Sequence, residues 1–182
     1  MYLRIFSVIG GLAAAFSASS MLAPGAEASS RDKAFFQSVA GTWKGPGEIV
    51  AGKYKGTKFN CNLTGEAAAD KAIGLKLDGT CRVGVFKQPM SAVITRSGKG
   101  YKGKFLDGAD GKGLDIISGA VNGDKVVMGI NRAELNGAMV ASLQSENKMN
   151  ITISVKVEDQ MVPVIGLTLD RDVDPIAVGS IR

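Results

Sequence analysis

Two periodicities divide the chain. In residues 31–39, RDKAFFQSV, the apolar positions Phe35, Phe36 and Val39 fall at helical spacing and would share one face. This predicts a short helix, with Ser29 or Ser30 as its cap and Asp32 in its first turn. From Trp43 onward the period is two. In residues 149–157 the odd positions are Met149, Ile151, Ile153, Val155 and Val157, against Asn150, Thr152, Ser154 and Lys156 at even positions. In 73–83 the odd set is Ile73, Leu75, Leu77, Gly79, Cys81 and Val83, against Lys76, Asp78, Thr80 and Arg82. Such alternation marks strands that bury one face.

Turn signals separate these runs: Gly98-Lys99-Gly100, Asp107-Gly108, Asp110-Gly111, Asn122-Gly123-Asp124 and Glu158-Asp159. Asn122-Gly123 is the strongest hairpin signal among them. The runs predict about ten strands, near 42–51, 54–66, 73–84, 88–96, 100–106, 113–120, 124–131, 136–144, 148–157 and 160–170. Short connections force antiparallel neighbours. The expected fold is therefore all-β: an antiparallel up-and-down barrel of about ten strands with one short N-terminal helix. Closure leaves no sheet edge, and the 24 glycines suit strands that bend at barrel corners. A two-sheet sandwich is the alternative.

The two cysteines fall on the inward parity of neighbouring predicted strands. A turn centred near Asp70-Lys71 places Cys61 opposite Thr80 or Cys81. A structural Cys61–Cys81 disulfide is thus within the register, with two buried free thiols as the alternative. No C-x-x-C spacing points to redox chemistry.

The N-terminus bears on where that bond could form. Residues 1–28 read as a cleavable signal peptide: Arg4 near the start, an uncharged stretch from Ile5 to Pro24, then Ala26-Glu27-Ala28 as a cleavage site. An uncleaved anchor is the alternative, because the stretch is long enough to span a bilayer. No cysteine follows the apolar stretch to carry a lipid. The expected organisation is a signal peptide at 1–28, a single barrel domain at 29–171 and a C-terminal tail at 172–182. The expected location is periplasmic or secreted, where disulfides persist.

The chain contains no histidine. This removes the commonest general base, the Ser-His and Cys-His pairs, and imidazole ligation of metals or haem. The expectation is a protein without catalysis, metal or cofactor. A carboxylate enzyme would need two converging acids. Glu48, Asp78 and Asp115 fall inside predicted strands, and nothing pairs them. Two glycine-rich lookalikes lack their context. Gly47–Tyr54 fits a phosphate loop but ends in Tyr54 instead of Ser or Thr, and Gly98–Gly103 opens a strand, not a helix. Asp107–Gly111 lacks the ligand series of a calcium loop.

Charge is uneven. Residues 44–104 hold 12 Lys or Arg against 4 Asp or Glu, a net of +8, whereas 105–182 hold 7 against 11, a net of −4. A basic face could meet an anionic envelope component; lysines on a solvated barrel exterior are the plainer reading.

Gly41-Thr42-Trp43 opens the first strand directly after the predicted helix. It resembles the G-x-W signature of calycin-type barrels, which include lipocalins, fatty-acid-binding proteins and nitrobindin-like barrels. In those families the Trp closes one barrel end and a basic residue after the last strand packs across it. Arg171 occupies the matching place here. The resemblance implies barrel closure by Trp43 and Arg171, and a cavity for a small apolar ligand. Met128, Met139, Met149 and Met161 recur on predicted inward positions and suit such a cavity, or an ordinary core. The nitrobindin likeness departs at the chemistry, because that family holds haem through a histidine. The stretch GPGEIVAGKYKGTKFNCNLTG is also similar to small exported proteins of alphaproteobacteria, which implies no activity. A further similarity is to small periplasmic protease inhibitors. The second functional reading, motivated by the basic 44–104 face and the C-terminal tail, is an envelope interaction or inhibitor protein acting through its basic outer surface and loops. No nucleic-acid partner and no transmembrane segment after cleavage are expected.

Overall fold

Each alternating run becomes one strand. The computed structural model describes residues 24–69, 72–106 and 113–173. Helix α1 (Pro24–Val39) precedes β1 (Gly41–Ile49), β2 (Lys58–Ala67), β3 (Gly74–Val83), β4 (Phe86–Ser97) and β5 (Gly100–Leu106). Then follow β6 (Leu114–Asn122), β7 (Lys125–Arg132), β8 (Leu135–Ser145), β9 (Lys148–Val157) and β10 (Gln160–Arg171). Every neighbour pairs antiparallel, and β1 pairs with β10 to close the barrel. The closing seam brings Trp43 opposite Arg171. Residues 1–23 of the expected signal peptide, the Asp70-Lys71 turn, the Asp107–Gly111 turn and tail residues 174–182 lie outside the described residues.

The β2–β3 register sets Cys61 directly opposite Cys81, and the two form a disulfide with Cα atoms 4.0 Å apart. Both face the interior and are buried. The bond closes a separation of 20 residues, a constraint worth about 3 kcal/mol by loop entropy.

Four local expectations are corrected. Ser29 and Ser30 do not cap α1, because the helix extends back to Pro24. Ser29 instead accepts a hydrogen bond from Arg96. The second strand begins at Lys58 rather than Tyr54; Gly52 and Gly56, both at positive φ, fold the intervening residues into turns. The β6–β7 loop is Gly123-Asp124, one residue beyond the Asn-Gly signal, with only Gly123 at positive φ in the pattern of a type II′ turn. Asp172, placed in the tail, still belongs to the barrel: its amide donates to Thr42 and its carboxylate pairs with Lys44.

Met161 is a correction with a topological cause. The β9–β10 register shifts by one between Pro163 and Ile165. Beyond the bulge Ile165, Leu167 and Leu169 face the interior. Before it the parity is reversed, so Met161 stands opposite Lys156 on the outer face and is 48% exposed. Met128 is fully buried. Met128→Ala should therefore cost about 2–5 kcal/mol in urea unfolding, and Met161→Ala about 0.5 kcal/mol or less.

Candidate functional site

The inward side chains of ten strands do not fill the space they enclose. About eight strands leave an interior that side chains can just occupy, and each added strand widens it. Here a cavity of about 230 Å³ remains, lined from all ten strands and from α1. One wall carries Met128, Met139 and Met149 from three successive strands. Phe59, Met90 and Phe105 line it towards the end away from the helix. Phe59 fits there because Gly47 lies opposite it; a Cβ on Gly47 would run into the Phe59 ring.

No lining side chain carries a charge, an amide or a hydroxyl, and no buried polar residue occurs among the described residues. The Trp43 indole N–H is turned out of the cavity to donate to the Val39 carbonyl at 3.0 Å. A polar group placed inside would thus lose its hydration without a partner. The cavity selects for apolar matter, or for an amphipath whose polar end stays at the mouth. An apolar cavity of about 150 Å³ accepts benzene, and drug-sized pockets start near 300 Å³. The volume here suits one compact molecule between those sizes.

Helix α1 plugs one end. Phe35, Phe36 and Val39 are buried beneath it, and the Phe36 ring meets Tyr101 edge-on at 5.1 Å. A polar set anchors the helix at one side. The Tyr101 hydroxyl donates to Asp32 Oδ2 at 2.6 Å, and Arg96 Nη1 lies 3.5 Å from the same oxygen while donating to Ser29 Oγ at 3.1 Å. Burial, and then the bond to the Asp32 carboxylate, hold the Tyr101 hydroxyl well above the usual tyrosine range. The sequence reading missed this set. A tyrosine on the inward parity of β5 needs a partner for its hydroxyl, but nothing in the sequence points 69 residues back to Asp32.

Arg171 holds the other side. Its Nη1 and Nη2 donate to the Ala40 and Ser38 carbonyls at 2.6 and 2.5 Å, and Nε donates to Glu146 O at 2.9 Å. The guanidinium thereby satisfies carbonyls at the helix C-terminus, where a positive charge is favoured. It also lies 4.2 Å from the Trp43 ring centroid. Gly41 has φ +117°, and a Cβ there would stand 2.7 Å from Arg171 Nη1. Gly41, Trp43 and Arg171 thus form one closing unit.

Glu48, Asp78 and Asp115 sit on β1, β3 and β6 and are not brought together; Asp78 pairs with Lys76 instead. No cluster of metal-ligating side chains occurs among the described residues. Gly47–Tyr54 leads into a hairpin, and Gly98-Lys99 is the two-residue turn between β4 and β5.

Neither a protein-family profile nor a curated protein sequence matches the chain. Among solved structures the fold is similar to that of Rv2717c from M. tuberculosis, with a TM-score of 0.52 and 14% identity, over 84% of this chain and 99% of that one. This likeness extends to the fold alone.

Two outcomes follow from the plug. Arg171→Ala should cost about 2–4 kcal/mol in urea unfolding, and Arg171→Lys should recover only part, because an ammonium cannot reach three carbonyls and stack at once. A raised tyrosine pKa gives stability that is complete below the unfolded value and is lost as pH climbs towards the folded one. The stability advantage of the native chain over Tyr101→Phe should therefore be level up to about pH 9 and shrink above about pH 10, as read by unfolding at each pH.

Proposed function

We propose that this barrel is an exported, non-catalytic binding protein that holds one small apolar molecule in its interior, in the kind of cavity that the calycin-like resemblance implies. The observation that carries this reading is the wholly apolar cavity of about 230 Å³, closed at one end by α1. Wide cavities are costly to keep, because unfilled volume forfeits packing energy. An occupant would restore those contacts.

The address is read from the N-terminal sequence and is compatible with the plug. The contacts that seat α1 come from Ser29, Asp32, Phe35, Phe36 and Val39, all retained if cleavage follows Ala28. Among the described residues no helix is long and apolar enough to cross a membrane.

Ala141 is buried and lines the cavity, so Ala141→Phe should fill it. Titration with N-phenyl-1-naphthylamine should give enhanced fluorescence with the native chain, and affinity should fall about tenfold or more in Ala141→Phe while circular dichroism stays unchanged. Equal binding by both proteins would place the dye elsewhere and remove the support for an interior site.

A further inference from the structure

One hairpin at the end opposite α1 differs from its sisters in what it presents, and from the acidic Ala133-Glu134 and Glu158-Asp159 turns at the same end. Three two-residue turns share one design, with glycine at the first position in positive φ: Gly84-Val85, Gly98-Lys99 and Gly123-Asp124. At the helix end the second residue is charged, Lys99 or Asp124. At the opposite end it is Val85, 89% exposed, followed by Phe86 at 77%. A hairpin tip is the easiest place to put a polar side chain, so a valine and a phenylalanine there are unlike the two sister turns.

The neighbouring β1–β2 hairpin adds to this tip. Val50 and Tyr54 are exposed on it, Tyr54 at 63%. The two hairpins are adjacent because β2 pairs with β3, with Asn60 opposite Arg82. They also carry five exposed cations: Lys53, Lys55 and Lys58 on one, Arg82 and Lys87 on the other. Residues 50–58 and 82–87 contain no acid, and none of the five cations forms an ion pair among the described residues.

We infer that the β1–β2 and β3–β4 hairpins, on one side of the barrel end opposite α1, dock onto an anionic lipid bilayer, with Val85, Phe86 and Tyr54 entering the interface and the five cations meeting headgroup phosphates. Aromatic and aliphatic tips supply the apolar term, and Tyr suits the boundary because its ring is apolar and its hydroxyl wet. Lysine stems lie along the apolar layer while their ammonium groups reach phosphate. A second copy of the chain fits worse, because a self-complementary contact would set five cations against five. The inference does not require the cavity to be occupied. It does set the cavity's Phe59 and Met90 end towards the bilayer.

The test is a local probe in the full chain, since the apolar N-terminal stretch could itself bind lipid. Trp43 is buried at the far end, so a tryptophan introduced by Phe86→Trp reports the tip. Its emission should shift to the blue with phosphatidylglycerol vesicles and stay unchanged with phosphatidylcholine vesicles. Lys53→Glu, Lys55→Glu and Lys58→Glu together should weaken the vesicle titration about tenfold or more, and added salt should weaken it further. Lys99→Trp, at the helix end, should not shift. The inference is overturned by no shift at Phe86→Trp, by an equal shift at Lys99→Trp, by equal shifts with both lipids, or by a concentration-dependent shift without vesicles, which would identify a second copy as the occupant. Because both tryptophans replace exposed turn residues, unchanged circular dichroism checks that the fold is intact.

Discussion

The structure depends on the closing of β1 against β10. Until that seam forms, the sheet has two unpaired edges and its apolar face has nothing opposite it. Closure of ten strands fixes a circumference, and the circumference fixes an interior wider than the inward side chains occupy. Cavity, plug and closing unit follow from this. The cavity is the residual volume, α1 is what covers one end of it, and Gly41, Trp43 and Arg171 lock the seam at that end.

The plug joins two kinds of contact. Its centre is aromatic and non-directional: Phe35, Phe36 and Trp43 exclude water from the cavity floor. Its perimeter is polar and directional. Asp32 is fixed from β4 and β5, and the helix C-terminus is fixed from the end of β10. Removing the perimeter on one side would leave the aromatic centre in place but free to tilt. The Arg171 side carries more bonds, three to backbone carbonyls, and the Tyr101 side is the one that responds to alkaline pH.

Much of the barrel was legible in the sequence because a period of two leaves a mark at every residue. The β5 and β9 bounds agree with the expected ranges, and the inward parity of Cys61 and Cys81 was enough to place them near one another. Gly41-Thr42-Trp43 and Arg171 were legible only through resemblance, since no local rule links residues so far apart. Met161 was misplaced because a bulge adds one residue without changing composition, and parity counting cannot see the slip. The helix start was misread because Ser29 and Ser30 have the chemistry of caps, while the tertiary bond from Arg96 that engages Ser29 carries no sequence signal. The cavity, with Met128, Met139 and Met149 on its wall, was likewise legible only through resemblance, because empty space is a difference between strand number and side-chain volume that no local pattern records.

The disulfide has a consequence for the order of biogenesis. Both cysteines are buried and face the lumen, near the barrel end opposite the plug. An oxidising enzyme needs physical access to a thiol, and the finished barrel offers little. The thiols are more accessible while the wall is still incomplete. The connectivity favours that sequence of events, since the β2–β3 hairpin joins residues 20 apart, whereas the seam joins Trp43 to Arg171 from near opposite ends of the domain. A bond formed within that hairpin fixes the β2–β3 register locally, before the distant β1–β10 seam has to be found.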